Sequence, residues 1–248
     1  MRLFIRHQTS YRYSKPIVYA IQTLRLTPRP YEGLNVIRWR VRGDGRYELP
    51  SFIDGYGNLV HCHTVNRPHD SAAVIVDGEV ETYPTDGVVR GASEVLPPLF
   101  YLRTTPLTAA DDAVAALARS CGGAGIDRLM ALMDEVRQRV DYRAGVTQSS
   151  TTAAEALRLG AGVCQDHAHL FIAGARAIGV PARYVGGYLW TGGDGEYEAS
   201  HAWAEAYVRT SVGLDYWSAA PVRGVRRGEG EEALSVSVKV KEAAQQQQ

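Results

Sequence analysis

Cys164 stands at the start of an expected helix, in Gly160-Ala-Gly-Val-Cys-Gln-Asp-His-Ala-His-Leu170. A thiol in a first helical turn lies against the positive end of the helix dipole, beside backbone N–H groups that have no intrahelical acceptor. This favours the reactive thiolate. The same N–H groups suit the oxyanion of a tetrahedral intermediate. Gly160 and Gly162 leave the approach bare, so a substrate backbone can come close. A second segment, Ser200-His-Ala-Trp-Ala-Glu-Ala-Tyr-Val208, has the period of a strand and sets His201, Trp203, Glu205 and Tyr207 on one face. If that strand packs across the start of the Cys164 helix, His201 takes the thiol proton and later returns it to a leaving amine.

The neighbours of the pair read as support. Asp166 is placed to receive N–H bonds in the first turn or to brace the loop before it, and bracing is expected. Gln165 is a supporting residue beside the cleft. Trp190 and Trp203 either wall a groove or pack as core. His167 and His169 diverge by about 200° on a helix, so at most one faces the cleft. His61-Cys-His63 has a spacing that zinc uses but lacks a third ligand, so these are expected to be partly exposed strand histidines. The glycines at 192, 193 and 195 mark a hairpin turn or cleft rim, and they lack the strand-to-helix context of a phosphate loop. No metal and no cofactor are implied.

Two kinds of chain must position these residues. Through about Val89, short β-branched and aromatic runs alternate with Gly, Pro, Asp and Asn, the pattern of an antiparallel sandwich. In Asp54-Gly-Tyr-Gly-Asn58 two glycines are expected to supply the positive φ of a tight hairpin. Leu96 to Pro106 reads as a linker. Helical periodicity follows: a helix opened by Asp111 and Asp112, another after Gly125, and a third with Thr152 and Glu155 as a capping box and Gly160 as its left-handed end. The Cys164 helix is expected to run to Ala177. Strands are then expected near 183–190, 198–208, 212–218 and 234–240, before a low-complexity, disordered tail at 245–248. The domains expected are 1–95, β-rich, and 96–244, the core.

The chain of 248 residues balances 27 Lys and Arg against 27 Asp and Glu. Neither a nucleic-acid footprint nor an anionic-membrane patch is indicated by that balance. Cys62, Cys121 and Cys164 are too few and uneven for a disulfide framework, and no signal peptide or membrane span is read, so a cytoplasmic protein is expected.

Gly162-Val-Cys-Gln-Asp166, Gly179-Val-Pro-Ala-Arg-Tyr-Val185 and His201-Ala-Trp-Ala-Glu205 together resemble the motifs of the bacterial transglutaminase-like superfamily. Tyr11-Arg-Tyr13, Leu24-Arg-Leu26 and Asp54-Gly-Tyr-Gly-Asn58 resemble the N-terminal region that accompanies its core in one bacterial subfamily. The resemblance implies an α+β fold, with an antiparallel β-sandwich-like domain followed by a papain-like core of helices packed on an antiparallel sheet. It implies Cys164 as nucleophile and His201 as base, acting on a peptide or protein amide by acyl transfer to water or to an amine. An aspartate on the next strand usually orients the histidine. Here Val208 runs directly into Arg-Thr-Ser-Val-Gly-Leu-Asp-Tyr216, so the usual Gly-Trp and Phe-Asp-Pro segment is missing. Asp215 is the nearest substitute, although it matches a later, noncatalytic aspartate. The alternative is a noncatalytic peptide-binding or scaffold protein on the same fold.

Overall fold

The computed structural model describes residues 1–43, 48–190, 195–197, 201–208, 222–227 and 232–242. In chain order the strands are β1 (Arg2–Ile17), β2 (Tyr19–Leu24), β3 (Leu34–Gly43), β4 (Ser51–Ile53), β5 (Leu59–Val65), β6 (His69–Thr82), β7 (Asp141–Tyr142) and β8 (Ala161–Gly162). They continue with β9 (Ala182–Gly187), β10 (Gly195–Tyr197), β11 (His201–Ala206), β12 (Val222–Arg227) and β13 (Glu232–Glu242). The helices are α1 (Asp112–Ser120), α2 (Ile126–Arg139), α3 (Ala153–Leu159) and α4 (Cys164–Ala177). Packing sorts them into two units: residues 1–92 with 186–190, 195–197, 222–227 and 232–242, and residues 93–185 with 201–208.

In the first unit, β1 alternates exposed Arg2, Phe4, Arg6 and Gln8 with buried Leu3, Ile5, His7 and Thr9, the periodicity of a sheet wet on one face. A five-stranded sheet runs β10-β13-β1-β6-β3 and a four-stranded sheet runs β12-β2-β5-β4. Leu24 of β2 packs with Val41 of β3 and Val74 and Val76 of β6, which closes the two sheets into a sandwich. Each such fully buried aliphatic side chain contributes about 1.5–3 kcal/mol. Trp39 lies across Gly78, its partner on β6, where a Cβ would collide with the indole ring.

Two details differ from the sequence reading. The hairpin at Asp54 uses one positive-φ glycine, Gly57 (φ 79°). The rest of the turn is organised by the Asp54 carboxylate, which accepts from the N–H groups of Tyr56 (3.0 Å) and Asn58 (2.9 Å). Strand β13, which a division at residue 95 assigns to the core, pairs antiparallel with β1 from Leu3↔Glu242 to Tyr13↔Glu232. The reason is apolar: Val238 and Val240 are buried beside Leu3, Ile5 and Val80.

In the second unit the expected linker folds into short 3-10 turns at Pro98–Leu102 and Pro106–Thr108, with Tyr101 buried. Asp111 caps α1 by accepting from the Val114 N–H (2.9 Å), and Thr152 and Glu155 form the capping box of α3. Helix α4 is the centre of this unit. Its Leu170, Ile172, Ala173 and Ala175 are buried among α1, α2 and α3, and Gly174 lets Leu132 and Ala118 approach closely. Strand β11 pairs with β9 and turns Ala204 and Ala206 toward the helices. Among the described residues, no helix is long and apolar enough to cross a membrane.

Candidate active site

The approach to Cys164 is fixed from both sides. Parallel pairing of β7 with β8 includes an N–H bond from Arg143 to the Gly162 carbonyl (2.8 Å), and the chain enters α4 through Val163 in extended conformation (φ −109°, ψ −175°). Asp166, only 1% exposed, reaches back so that one carboxylate oxygen accepts from the Val163 N–H (2.8 Å) and from the Thr147 hydroxyl (2.6 Å). Its negative charge sits in the first turn, where the helix dipole favours it. Gly162 makes this possible, because a Cβ there would lie 2.7 Å from the Asp166 side chain. Cys164 itself is half-buried. The N–H groups of Cys164 and Gln165 have no acceptor among the described residues, the arrangement expected of a helix start.

The loop before α3 lies along this turn. Besides the Thr147 bond, the Gln165 amide reaches the Ser149 carbonyl at 3.5 Å, the outer limit of hydrogen bonding. A shallow groove follows, lined by Val146, Thr147, Ser150, Thr151, Glu155 and Arg158.

His201 is the first residue of β11 and half-buried, and desolvation lowers its pKa from the ordinary value. Its ring packs edge-on against Trp203 (centroids 4.6 Å apart), and Trp203 is 37% exposed rather than buried core. Helix α4 and β11 are in contact, yet no hydrogen bond joins Cys164 to His201 among the described residues. Asp215 lies outside the described residues. Trp190 packs beside the Leu3 and Ile5 cluster of the sandwich.

The two histidines of α4 diverge as expected. His167 places its ring nitrogens 2.9 Å from the Val163 carbonyl and 2.8 Å from the Val140 carbonyl, tying the first turn of α4 to the end of α2. His169 is buried against Tyr184 (centroids 5.3 Å apart), and desolvation holds its pKa below the ordinary imidazole value despite nearby Asp166. The Tyr184 phenol is pushed up to about 12, first by burial and then by the charges of Cys164 and Asp166. In the sandwich, His63 is buried and bonded to Gln22 (3.0 Å) rather than partly exposed, while His61 is half-buried.

Spacing alone does not mark Arg183. It is 2% exposed on β9, forks onto both Glu94 oxygens (3.0 and 3.2 Å) and contacts Glu205 of β11 (3.1 Å). The Tyr101 ring lies 5.2 Å from its guanidinium carbon. Glu205 thus fastens the His201 strand to β9 and to the segment entering the helices. A visible signal existed, since Glu205 shares the period-two face of His201 and Trp203. Thr147 carried no signal, because it reaches Asp166 from a loop nineteen residues earlier.

The sequence matches the transglutaminase-like superfamily over residues 112–220 and the bacterial transglutaminase-like N-terminal region over residues 3–81. It is 29% identical to the uncharacterized protein ML0607 of Mycobacterium leprae, covering 96% of this chain and 98% of that one. It is 30% identical to the uncharacterized protein Rv2569c of Mycobacterium tuberculosis, covering 87% and 76%. A crystal structure from Cytophaga hutchinsonii, described as "a Putative Cysteine Protease", superposes with a TM-score of 0.72 over 97% of this chain and 90% of that one; at 20% identity the likeness is one of fold. The chain belongs to the transglutaminase-like superfamily, with the bacterial N-terminal region joined to its core.

Proposed function

We propose that the protein is a cysteine enzyme that transfers acyl groups from peptide or protein amides through a thioester on Cys164. The observation that carries this reading is a half-buried thiol at the first residue of α4, beside N–H groups without acceptors among the described residues. In the proposed cycle His201 takes the thiol proton and the thiolate attacks the amide carbon. The Cys164 and Gln165 N–H groups hold the resulting oxyanion. The C–N bond breaks as the amine leaves with the proton from His201, and water or a second amine then cleaves the thioester and restores the thiol. Gln165, Asp166 and Trp203 are supporting residues in this scheme. The segment that usually carries the orienting aspartate is missing after Val208, so turnover is expected to be reduced; Asp215 is the nearest following carboxylate and a weak substitute.

The test is a casein-derived peptide library offered with water alone and with an added primary amine, products being read by mass spectrometry. The native chain should hydrolyse or transamidate the library. Cys164→Ala should lose all turnover, whereas Cys62→Ala and Cys121→Ala keep it. Turnover surviving in Cys164→Ala refutes the scheme. The missing Gly-Trp and Phe-Asp-Pro segment after Val208 favours a second reading, a peptide-binding protein that retains the fold. A native chain that binds library peptides while Cys164 stays inert to iodoacetamide would decide for that reading.

A further inference from the structure

We propose that the outer face of the five-stranded sheet is a docking surface for an anionic phospholipid bilayer. The register puts cations from three strands on this face: Arg2, Arg6 and Arg12 of β1, Arg38, Arg40 and Arg42 of β3, and Lys239 and Lys241 of β13. Its acids with described side chains are Asp77, Glu79 and Glu81 of β6, and β10 pairs with β13 at the rim. Asp77 lies between Arg6 (3.4 Å) and Arg42 (2.5 Å), and Glu79 between Arg2 and Arg38, so each of these acids is matched by two arginines. Arg2, Arg6 and Arg38 still keep 54%, 58% and 60% of their side-chain surface in solvent. A chain with no net charge therefore carries a strongly cationic face. The total conceals this, because strand alternation sorts the charges by face rather than along the sequence.

The shape selects the partner. Strands about 4.8 Å apart, with outward residues about 6.8 Å apart along each, spread the cations over roughly 14 by 34 Å. Among the described residues the cations thus form a two-dimensional array. A DNA duplex is read by an element that enters a groove, and single strands are held on platforms of several aromatic rings. The described residues of this face offer one aromatic ring, Phe4, 40% exposed among the arginines. A plane of lipid phosphates with a shallow apolar layer beneath matches both the spread of charge and the single ring.

The test uses the full chain in co-sedimentation with vesicles of phosphatidylcholine alone and with 30% phosphatidylglycerol, at low and high salt. Binding should require the anionic lipid and should be lost at high salt, where surface charges are screened. Each cation near an anionic surface is worth about fivefold, so the Arg12→Gln, Arg38→Gln, Arg40→Gln chain should bind at least tenfold more weakly. Replacing Arg67, Arg119 and Arg137 by Gln should change binding less than twofold. Thermal melting checks that both variants fold, and an Arg12→Glu, Arg40→Glu chain serves if the first does not. Equal binding to neutral vesicles, unchanged binding of the face variants, or absence of binding by the native chain overturns the proposal. Tighter capture of a 20-nucleotide DNA, lost in the same variants, assigns the face to nucleic acid and overturns it as well.

Discussion

At the level of single residues, the entry to α4 depends on one missing methyl group. The Asp166 carboxylate occupies the volume that a Cβ at Gly162 would need, and its bonds to Val163 and Thr147 leave it little freedom to withdraw. Gly162→Ala should therefore cost about 1–3 kcal/mol by overpacking. Gly55→Ala, where an added Cβ meets nothing within 4 Å, should stay within about 0.5 kcal/mol. Denaturant melts of the two variants check the contrast, and equal stability would show that the first turn of α4 is more yielding than its hydrogen bonds indicate. The role of Asp166 as a brace was legible because a helix start needs acceptors within three residues. Its second partner was not, since nothing in local spacing brings Thr147 to the same carboxylate.

At the level of elements, β9 and β11 are joined by backbone pairing and by Arg183, a buried cation facing two carboxylates. Removing one member of a buried ion cluster costs about 3–5 kcal/mol, because the remaining charges stay buried without compensation. Arg183→Met should lose that much in thermal denaturation, and Arg183→Lys should recover only part, since an ammonium cannot reproduce the fork onto Glu94. A Met variant as stable as the native chain would mean that Glu94 and Glu205 find other partners. The helices were the readable elements: Asp111, the Thr152 and Glu155 pair, and Gly160 at φ 65° each mark an end by local chemistry. The long strands were less readable. In β1 the inward positions 7 and 9 are His and Thr, which interrupt the apolar alternation, so only its Tyr11 to Tyr13 stretch stood out. Those polar groups tolerate burial because His7 bonds to Thr9 (2.8 Å) and to the Tyr188 hydroxyl (2.9 Å), a partner no local pattern supplies. The strands β4 and β12 are hard to read for a related reason: three residues, or a run rich in arginine, give little periodicity.

Over the whole molecule, that same His7 makes stability depend on acidity. Burial lowers its pKa from 6.5 to about 4, so between these values the unfolded chain binds a proton that the folded chain refuses. The stability that neutral His7 supports is complete above pH 6.5 and is lost as pH falls toward 4, amounting to about 3 kcal/mol. Thermal melts from pH 7 to 4 should show this decline, and His7→Gln should flatten it while lowering stability at pH 7; an unchanged slope would place the acid sensitivity elsewhere. The register from Leu3↔Glu242 to Tyr13↔Glu232 has a further consequence, in the making of the chain. Leu3 leaves the ribosome about 240 residues ahead of its partner Glu242, so at about 5–20 residues per second β1 waits roughly 12–48 s for β13 with that edge unfilled. An open edge invites pairing with other chains, and charged side chains discourage it. The arginines on β1 would then protect the growing polypeptide on the ribosome until β13 arrives.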